Sequence, residues 1–221
     1  MSIVNLDPRI NRRMALGGLA AGGVAAGLAP LSPAGAAEAK RRARAAQRQA
    51  DRVLVGRVSA NGWPMEKGSD IGGRIWTRPL AGTGGEVQLC AGDVEAVLLR
   101  VARRFHYEVH PLEAGDVIGF RPTRRSARGG EKNHASGTAI DILPRSFPHG
   151  SRDCLSSLQV TAIRDIVRDC DGVVIWGGDA LVPAPSHFEI GVRPDDPRLP
   201  TLVTRIRRED ELPAEDVGVT M

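Results

Sequence analysis

Cysteine is scarce in this chain of 221 residues, which limits how far disulfides can hold its fold together. Only Cys90, Cys154 and Cys170 are present, so at most one internal disulfide can form, and their spacing matches no zinc knuckle. Cys154 and Cys170 bracket a predicted helix that would hold them about 24 Å apart, beyond the reach of a disulfide. Either a bridge joins Cys90 to one of the other two, or all three remain buried free thiols.

Most of the chain also lacks a surplus of positive charge. The formal net charge is +4 and the sequence pI is about 9.4. The first 36 residues contribute +2 of this charge and residues 38–52 contribute +4, so the chain from Val53 onward carries −2. A slightly acidic body has no broad electrostatic footprint for nucleic acid, and we expect no nucleic-acid partner.

Beyond the first 36 residues, no apolar run is long enough to span a bilayer. The leader begins with Arg12-Arg13, continues as a Gly/Ala/Leu run and ends in the small residues Ala34-Gly35-Ala36. This order predicts a twin-arginine signal peptide over residues 1–36, cleaved near Ala36. The alternative is a permanent membrane anchor, which the glycines and Pro30 within the run disfavour.

The predicted leader makes the twin-arginine export machinery a partner of the chain. We expect the mature protein in the periplasm, the cell wall or the extracellular space, with no permanent membrane span. Twin-arginine export is typical of proteins that fold, often around a cofactor, before crossing the membrane. A metal site would be consistent with that route.

Hydrophobic periodicity predicts an α+β domain over residues 53–205. The strongest element is a helix from Asp93, with apolar residues through Phe105 at helical spacing. A second helix is predicted at 156–169, with strands at 53–59, 117–120, 138–143, 173–176 and 187–191 and short ones around Trp63 and Trp76. Residues 37–52 form a predicted basic, exposed helical linker. Residues 206–221 are predicted to be an irregular tail, because prolines and charges follow Val192.

Two histidines stand in segments that also carry acidic residues, and these indicate a metal site. His134 precedes Asp141 by seven residues, and His187 lies in a second predicted strand. Asp141 is flanked by two isoleucines, so its carboxylate is expected to be buried and to need a metal or another cationic partner. His134, Asp141 and His187 therefore supply three candidate zinc ligands with a fourth position open for water. A purely structural pair of side chains is the alternative.

Four motifs along the chain together resemble the zinc D-alanyl-D-alanine carboxypeptidase family. They are Gly119-Phe120-Arg121-Pro122, His134-x-x-Gly137-x-Ala139-x-Asp141, Trp176-Gly177-Gly178-Asp179 and His187-Phe188-Glu189, in the family's order over about residues 90–192. That family is similar in fold to Hedgehog-type domains and includes L-alanyl-D-glutamate endopeptidases. The resemblance implies a small antiparallel sheet with flanking helices and a zinc site. It also implies hydrolysis of a peptide bond in the peptidoglycan stem peptide.

The resemblance also assigns roles to individual residues. It implies that His134, Asp141 and His187 bind Zn²⁺ and that Arg121 holds the substrate carbonyl and the developing oxyanion. Trp176, in the third motif, is a further candidate for substrate contact. Other first-row metals are compatible with the same ligands.

Two positions depart from the family's pattern. Lys132 replaces a serine two residues before the first histidine, where it is expected to alter substrate contacts. Ala184 replaces the acidic residue three before the second histidine, which in the family is the general base. Glu189 or Asp179 could substitute as the base, whereas Glu189 could instead only orient a histidine and Asp179 could only cap its turn.

These features predict an exported zinc metallopeptidase of the DD-carboxypeptidase or LD-endopeptidase type, acting on peptidoglycan stem peptides. The alternative is a zinc-containing cell-wall-binding module that has lost turnover, and Ala184 is the reason to consider it.

Overall fold

The architecture is taken from a computed structural model that describes residues 33–123 and 129–211. The described helices are α1 (Pro33–Val53), α2 (Asp93–Glu108), α3 (Ser157–Arg168) and α4 (Arg198–Glu211). The strands are β1 (Leu54–Val58), β2 (Pro64–Glu66), β3 (Ile75–Leu80), β4 (Gly85–Cys90), β5 (Val117–Ile118), β6 (Ala139–Ile142), β7 (Val174–Trp176) and β8 (His187–Ile190). The predicted α+β class, with small antiparallel sheets and flanking helices, is confirmed.

The N-terminal predictions fall partly outside the described residues. The predicted signal peptide lies outside them up to residue 32. Residues 37–52, the predicted basic linker, belong to α1, and most of their side chains are exposed. None of the described helices combines the length and the apolar character needed to cross a membrane.

Helix α2 is the central support of the domain. Gly92 precedes it with a φ of 96°, and the carboxylate of Glu95 accepts a hydrogen bond from the Gly92 N–H at 3.3 Å. That contact satisfies a free donor at the start of the helix. One face is completely buried, comprising Val94, Val97, Leu98, Val101, Ala102 and Phe105. The apolar spacing in the sequence therefore identifies the buried face correctly.

A four-stranded antiparallel sheet in the order β5-β6-β8-β7 packs its apolar face towards α2. Ile140 in β6 lies opposite Phe188 in β8, and the Phe188 ring meets the Phe105 ring edge to face, with 6.1 Å between centroids. On the opposite face, Asp141 pairs with His187. Because side chains alternate along a strand, this one register separates an apolar face from a polar one.

Strand β4 is the strand that the sequence patterns do not predict. Its burial alternates, with Val87 and Leu89 buried, and it pairs with β3 in an antiparallel hairpin. The strand begins directly after Gly84, inside a glycine-rich stretch that reads as loop. It supports the polar face of the main sheet because the Cys90 N–H donates to the Gly137 carbonyl at 2.9 Å.

All three cysteines are free thiols, so the bridge considered from the sequence does not form in this structure. Cys90 and Cys170 are buried, and burial raises the pKa of each thiol to about 11. Cys154 is half-buried. The two buried cysteines act as small apolar core residues.

The prediction of an irregular tail from residue 206 is wrong for residues 206–211, which belong to α4. Leu199, Leu202, Val203 and Ile206 follow helical spacing, are buried and face α2. Pro197 precedes the helix, and Pro200 lies in its first turn, where the missing N–H removes no helical hydrogen bond. Residues 212–221 of the predicted tail lie outside the described residues.

The packing of α4 predicts that Leu202→Ala lowers the free energy of unfolding by about 2–5 kcal/mol, as cavity-forming changes of buried leucine do. Leu202 is only 2% exposed. Urea unfolding followed by circular dichroism measures the change. Arg207→Ala, on the exposed side of the same helix, is the matched control and should shift the value by less than about 0.5 kcal/mol. Equal stability of the two variants would contradict the docking of α4.

Candidate metal centre

Three side chains from separate segments converge on the polar face of the main sheet. His134 comes from a 3₁₀ segment (Gly129–Ser136), Asp141 from β6 and His187 from the start of β8. Each offers one ligand atom, and these atoms all lie within 4.8 Å of one another. The structure therefore brings together the three residues that the sequence predicts as ligands.

Gly137 makes the approach between His134 and Asp141 possible. Its φ is +66°, a left-handed conformation that glycine adopts without strain. A Cβ at this position would lie 2.7 Å from the Cys90 backbone nitrogen. Both the turn and the close approach of β4 therefore require glycine.

The ring of His134 is fixed by a backbone carbonyl. Its Nδ1 lies 2.6 Å from the Gly119 oxygen, which can only accept a hydrogen bond, so Nδ1 carries the proton. Nε2, the other ring nitrogen, points at the Asp141 carboxylate and lies 3.2 Å from Oδ1. A backbone carbonyl on the second ring nitrogen is the usual support of a metal-binding histidine.

The ring of His187 is held between two carboxylates. Its Nδ1 lies 2.8 Å from Asp141 Oδ1, and its Nε2 lies 2.9 Å from Glu189 Oε2. Glu189 also accepts a hydrogen bond from Asn133 Nδ2 at 2.7 Å. Since Glu189 contacts the ring nitrogen that faces away from Asp141, its position matches an orienting carboxylate. The contribution of Asn133 escaped the sequence patterns, because it depends on how the 3₁₀ segment packs beside β8.

Asp141 is an ionised carboxylate in a buried position, with 8% of its surface exposed. Burial opposes ionisation, but hydrogen bonds from His134 and His187 and the charge of Arg121 outweigh it and hold the pKa of Asp141 well below its usual range. Arg121 Nη2 forms an ion pair with Asp141 Oδ2 and lies 2.8 Å from His134 Nε2. The position between the Asp141 carboxylate and His134 Nε2 therefore favours a cation.

The pKa of His187 also reflects this concentration of negative charge. Burial lowers it, but the hydrogen bonds to Asp141 and Glu189 and their charges raise the pKa of His187 to about 9. Burial raises the pKa of Glu189, whereas its hydrogen bond to His187 and the charge of that ring lower it, with a net shift downward. Asp141 and Glu189 therefore favour a positive charge between them. A divalent cation supplies that charge when the His187 imidazole loses its proton and binds the metal.

The donor set fits a metal ion. Two imidazole nitrogens and one carboxylate oxygen are the ligands that zinc and several other first-row metals accept in proteins. His134 and Asp141 are buried and His187 is half-buried. The three candidate ligands are thus largely enclosed by protein, and they line a cavity from which a metal and a substrate could reach them.

A cavity of about 710 Å³ opens onto the three candidate ligands. Arg121, Trp176, Asp179 and Glu189, all predicted site residues, line it, as does Ala184. Lys132 is half-buried and is not one of the described residues that line the cavity.

Trp176 and Asp179 each have a structural partner in the cavity wall. Trp176 is buried, donates from Nε1 to the Pro185 carbonyl at 2.8 Å and stacks on Phe188. The Asp179 carboxylate forms an ion pair with Arg164 at 2.7 Å. Trp176 therefore shapes the wall, and Asp179 is held at its exposed rim.

His149 also lines this cavity, which no sequence pattern indicated. It stands in a Pro/Gly loop after β6, and only the folded loop brings it to the same space as Asp141.

Comparison with protein-family models, with curated proteins and with solved structures finds no significant match to this chain.

The ligand assignment predicts that His187→Ala loses the stoichiometric metal that the unchanged protein binds, because one of three ligands is removed. Zinc content after dialysis, measured by mass spectrometry of the metal, tests this, with circular dichroism to check folding. His110→Ala is the matched control, since His110 is exposed and does not line the cavity. Retention of one zinc per chain in His187→Ala would contradict the assignment.

The geometry of Glu189 predicts that Glu189→Gln weakens zinc binding by about 10–100-fold, the usual loss when an orienting partner of a metal ligand is changed. Glutamine keeps an oxygen that accepts from His187 but removes the charge. Competition with a chromophoric chelator measures the dissociation constant. An unchanged dissociation constant with lower turnover would instead assign Glu189 as the base.

Proposed function

We propose that this protein is an exported zinc peptidase that hydrolyses a peptide bond in the peptidoglycan stem peptide. The proposal includes a domain of the Hedgehog/DD-peptidase fold and a reaction of the DD-carboxypeptidase or LD-endopeptidase type. The observation that carries it is the convergence of His134, Asp141 and His187 at a cavity large enough for a peptide. The four sequence motifs supply the substrate class.

Zinc is the metal that we propose for this site. A zinc ion held by three protein ligands polarises a substrate carbonyl and lowers the pKa of a bound water towards about 7. The chain contributes the fixed geometry of the ligands, through the Gly119 carbonyl behind His134 and the Glu189 carboxylate behind His187. That support holds both rings in place before a substrate arrives.

Arg121 is the proposed binding group for the substrate carbonyl. Its side chain is 46% exposed, lines the cavity and ends beside His134 and Asp141. A half-exposed arginine has room to turn into the cavity. A guanidinium there stabilises the negative charge that develops on a carbonyl oxygen under attack.

The cavity walls suit a peptide with small side chains. Ile175 and Val182 are exposed at 48% and 56%, and with the Trp176 face they provide apolar surface beside the charged ligands. The volume of about 710 Å³ is within the usual range for small-ligand sites. Alanine residues of a stem peptide match these walls in size and polarity.

The leader supports the same substrate. Arg12-Arg13, the Gly/Ala/Leu run and Ala34-Gly35-Ala36 are typical of a twin-arginine signal. Export by that route delivers a folded protein to the compartment that contains peptidoglycan. We therefore assign the mature protein to the periplasm or the cell wall.

A second function is favoured by one specific feature of the cavity. Ala184 lines it where the family has an acidic base, and the two nearby carboxylates are engaged, Glu189 with His187 and Asp179 with Arg164. A metal-containing module that binds cell-wall peptide without cleaving it is consistent with this arrangement.

Digestion of purified cell-wall peptides by the zinc-loaded protein distinguishes the two functions. We expect a cleavage that a chelator abolishes and zinc restores, and mass spectrometry of the products names the bond. Release of free D-alanine would assign a DD-carboxypeptidase, and a cut between L-alanine and D-glutamate would assign an LD-endopeptidase. Absence of cleavage by a folded protein with zinc bound would contradict the peptidase and favour the binding module.

A further inference from the structure

Peptide hydrolysis at this cavity needs a group that moves a proton, and the carboxylates of the cavity are poorly placed for it. Glu189 Oε2 is shared between His187 and Asn133, and both nitrogens of the Arg164 fork contact Asp179 Oδ1. These two carboxylate oxygens are therefore already hydrogen-bonded within the protein. Ala184 has no titratable group.

His149 is the titratable group of the cavity that is not engaged in this way. Its side chain is exposed and lines the cavity together with Asp141 and His187. Within residues 33–123 and 129–211, its imidazole has no hydrogen-bond or ion-pair partner. Both ring nitrogens are therefore available to a ligand or to water.

The loop that carries His149 is anchored on both sides of it. Phe147 is buried, and its N–H donates to the Leu143 carbonyl at 2.9 Å. The Gly150 N–H donates to the Pro183 carbonyl at 2.6 Å. These contacts hold the backbone on both sides of His149 at the cavity wall.

The hydrogen bond between the Gly150 N–H and the Pro183 carbonyl lies next to Ala184, the position without an acidic side chain. Pro183 is the neighbour of Ala184 in sequence, and Arg152 donates to the Leu181 carbonyl of the same segment at 3.1 Å. The His149 loop and the 181–184 segment thus form adjoining parts of one wall. His149 from the first and Ala184 from the second line the same cavity.

We propose that His149 is the proton-transfer residue of this site, taking the place of the acidic residue that Ala184 replaces. As the water oxygen bonds to the substrate carbonyl carbon, one water proton passes to the imidazole. When the C–N bond breaks, that proton passes to the leaving amine, so one water is consumed and a carboxylic acid and an amine are formed. The second water proton, which stays on the acid, then passes to the amine and gives a carboxylate and an ammonium group. This assignment rests on the proposed function.

An imidazole is chemically suited to both halves of this exchange. Histidine is the side chain that ordinarily gains and loses a proton near neutral pH, and such a general base contributes about 10²–10⁴-fold to rate. The other titratable groups that line the cavity are Arg121, His134, Asp141, Asp179, His187 and Glu189. All six are already paired with one another, with a backbone carbonyl or with Arg164.

The test compares His149→Ala with His110→Ala in the zinc-loaded protein, using the wall peptide that the unchanged protein cleaves. We expect His149→Ala to retain one zinc per chain and to lower kcat by about 10²–10⁴-fold. Added imidazole should restore part of the rate, and the acidic limb of the pH–rate profile should be lost. His110→Ala should match the unchanged protein in zinc content, rate and pH profile.

Two results separate a failure of this inference from a failure of the proposed function. Cleavage by the unchanged protein, with His149→Ala within twofold of it at every pH, would overturn the role of His149 and leave the peptidase intact. Absence of cleavage by the unchanged, zinc-loaded protein would overturn both.

A binding measurement tests the contact without turnover. The imidazole signal of His149, assigned in NMR spectra by its loss in His149→Ala, should shift when the product peptide is added to the unchanged protein. A signal that does not move while the peptide binds would contradict contact between His149 and the ligand.

Discussion

The buried, ionised carboxylate of Asp141 is the constraint on which the rest of the site depends. An unpaired charge in a strand flanked by isoleucines would be costly, so the surrounding residues must supply positive charge or hydrogen-bond donors. Arg121, His134 and His187 meet this need from three different segments. The same set is a ligand set for a divalent cation, and metal binding and charge compensation are therefore two aspects of one arrangement.

The antiparallel register between β6 and β8 joins this site to the core. Phe188 packs on Phe105 from one face of the sheet, whereas His187 and Glu189 lie on the other face. A one-residue slip would exchange the two faces and place the charged groups against α2. The apolar packing that stabilises the sheet thereby also fixes the distance between Asp141 and His187.

Most features set by local periodicity could be predicted from the sequence, whereas contacts between distant segments could be predicted only where the motifs indicated them, as for His134, Asp141 and His187. The buried face of α2 follows from helical spacing, and the neighbouring positions of His187 and Glu189 follow from strand alternation. Helix α4 is not predicted, because Pro200 and the surrounding charges interrupt its apolar spacing in the sequence. His149 lines the cavity from a loop whose Gly150 N–H donates to the Pro183 carbonyl, a contact between distant segments that no local pattern encodes.

X-ray absorption spectroscopy at the zinc edge tests the central claim most directly, because it counts the ligands around the metal. A site built on His134, Asp141 and His187 predicts a four-coordinate ion with two imidazoles and only nitrogen or oxygen neighbours, at about 2.0–2.2 Å. A sulfur neighbour at about 2.3 Å, or a single imidazole, would contradict it.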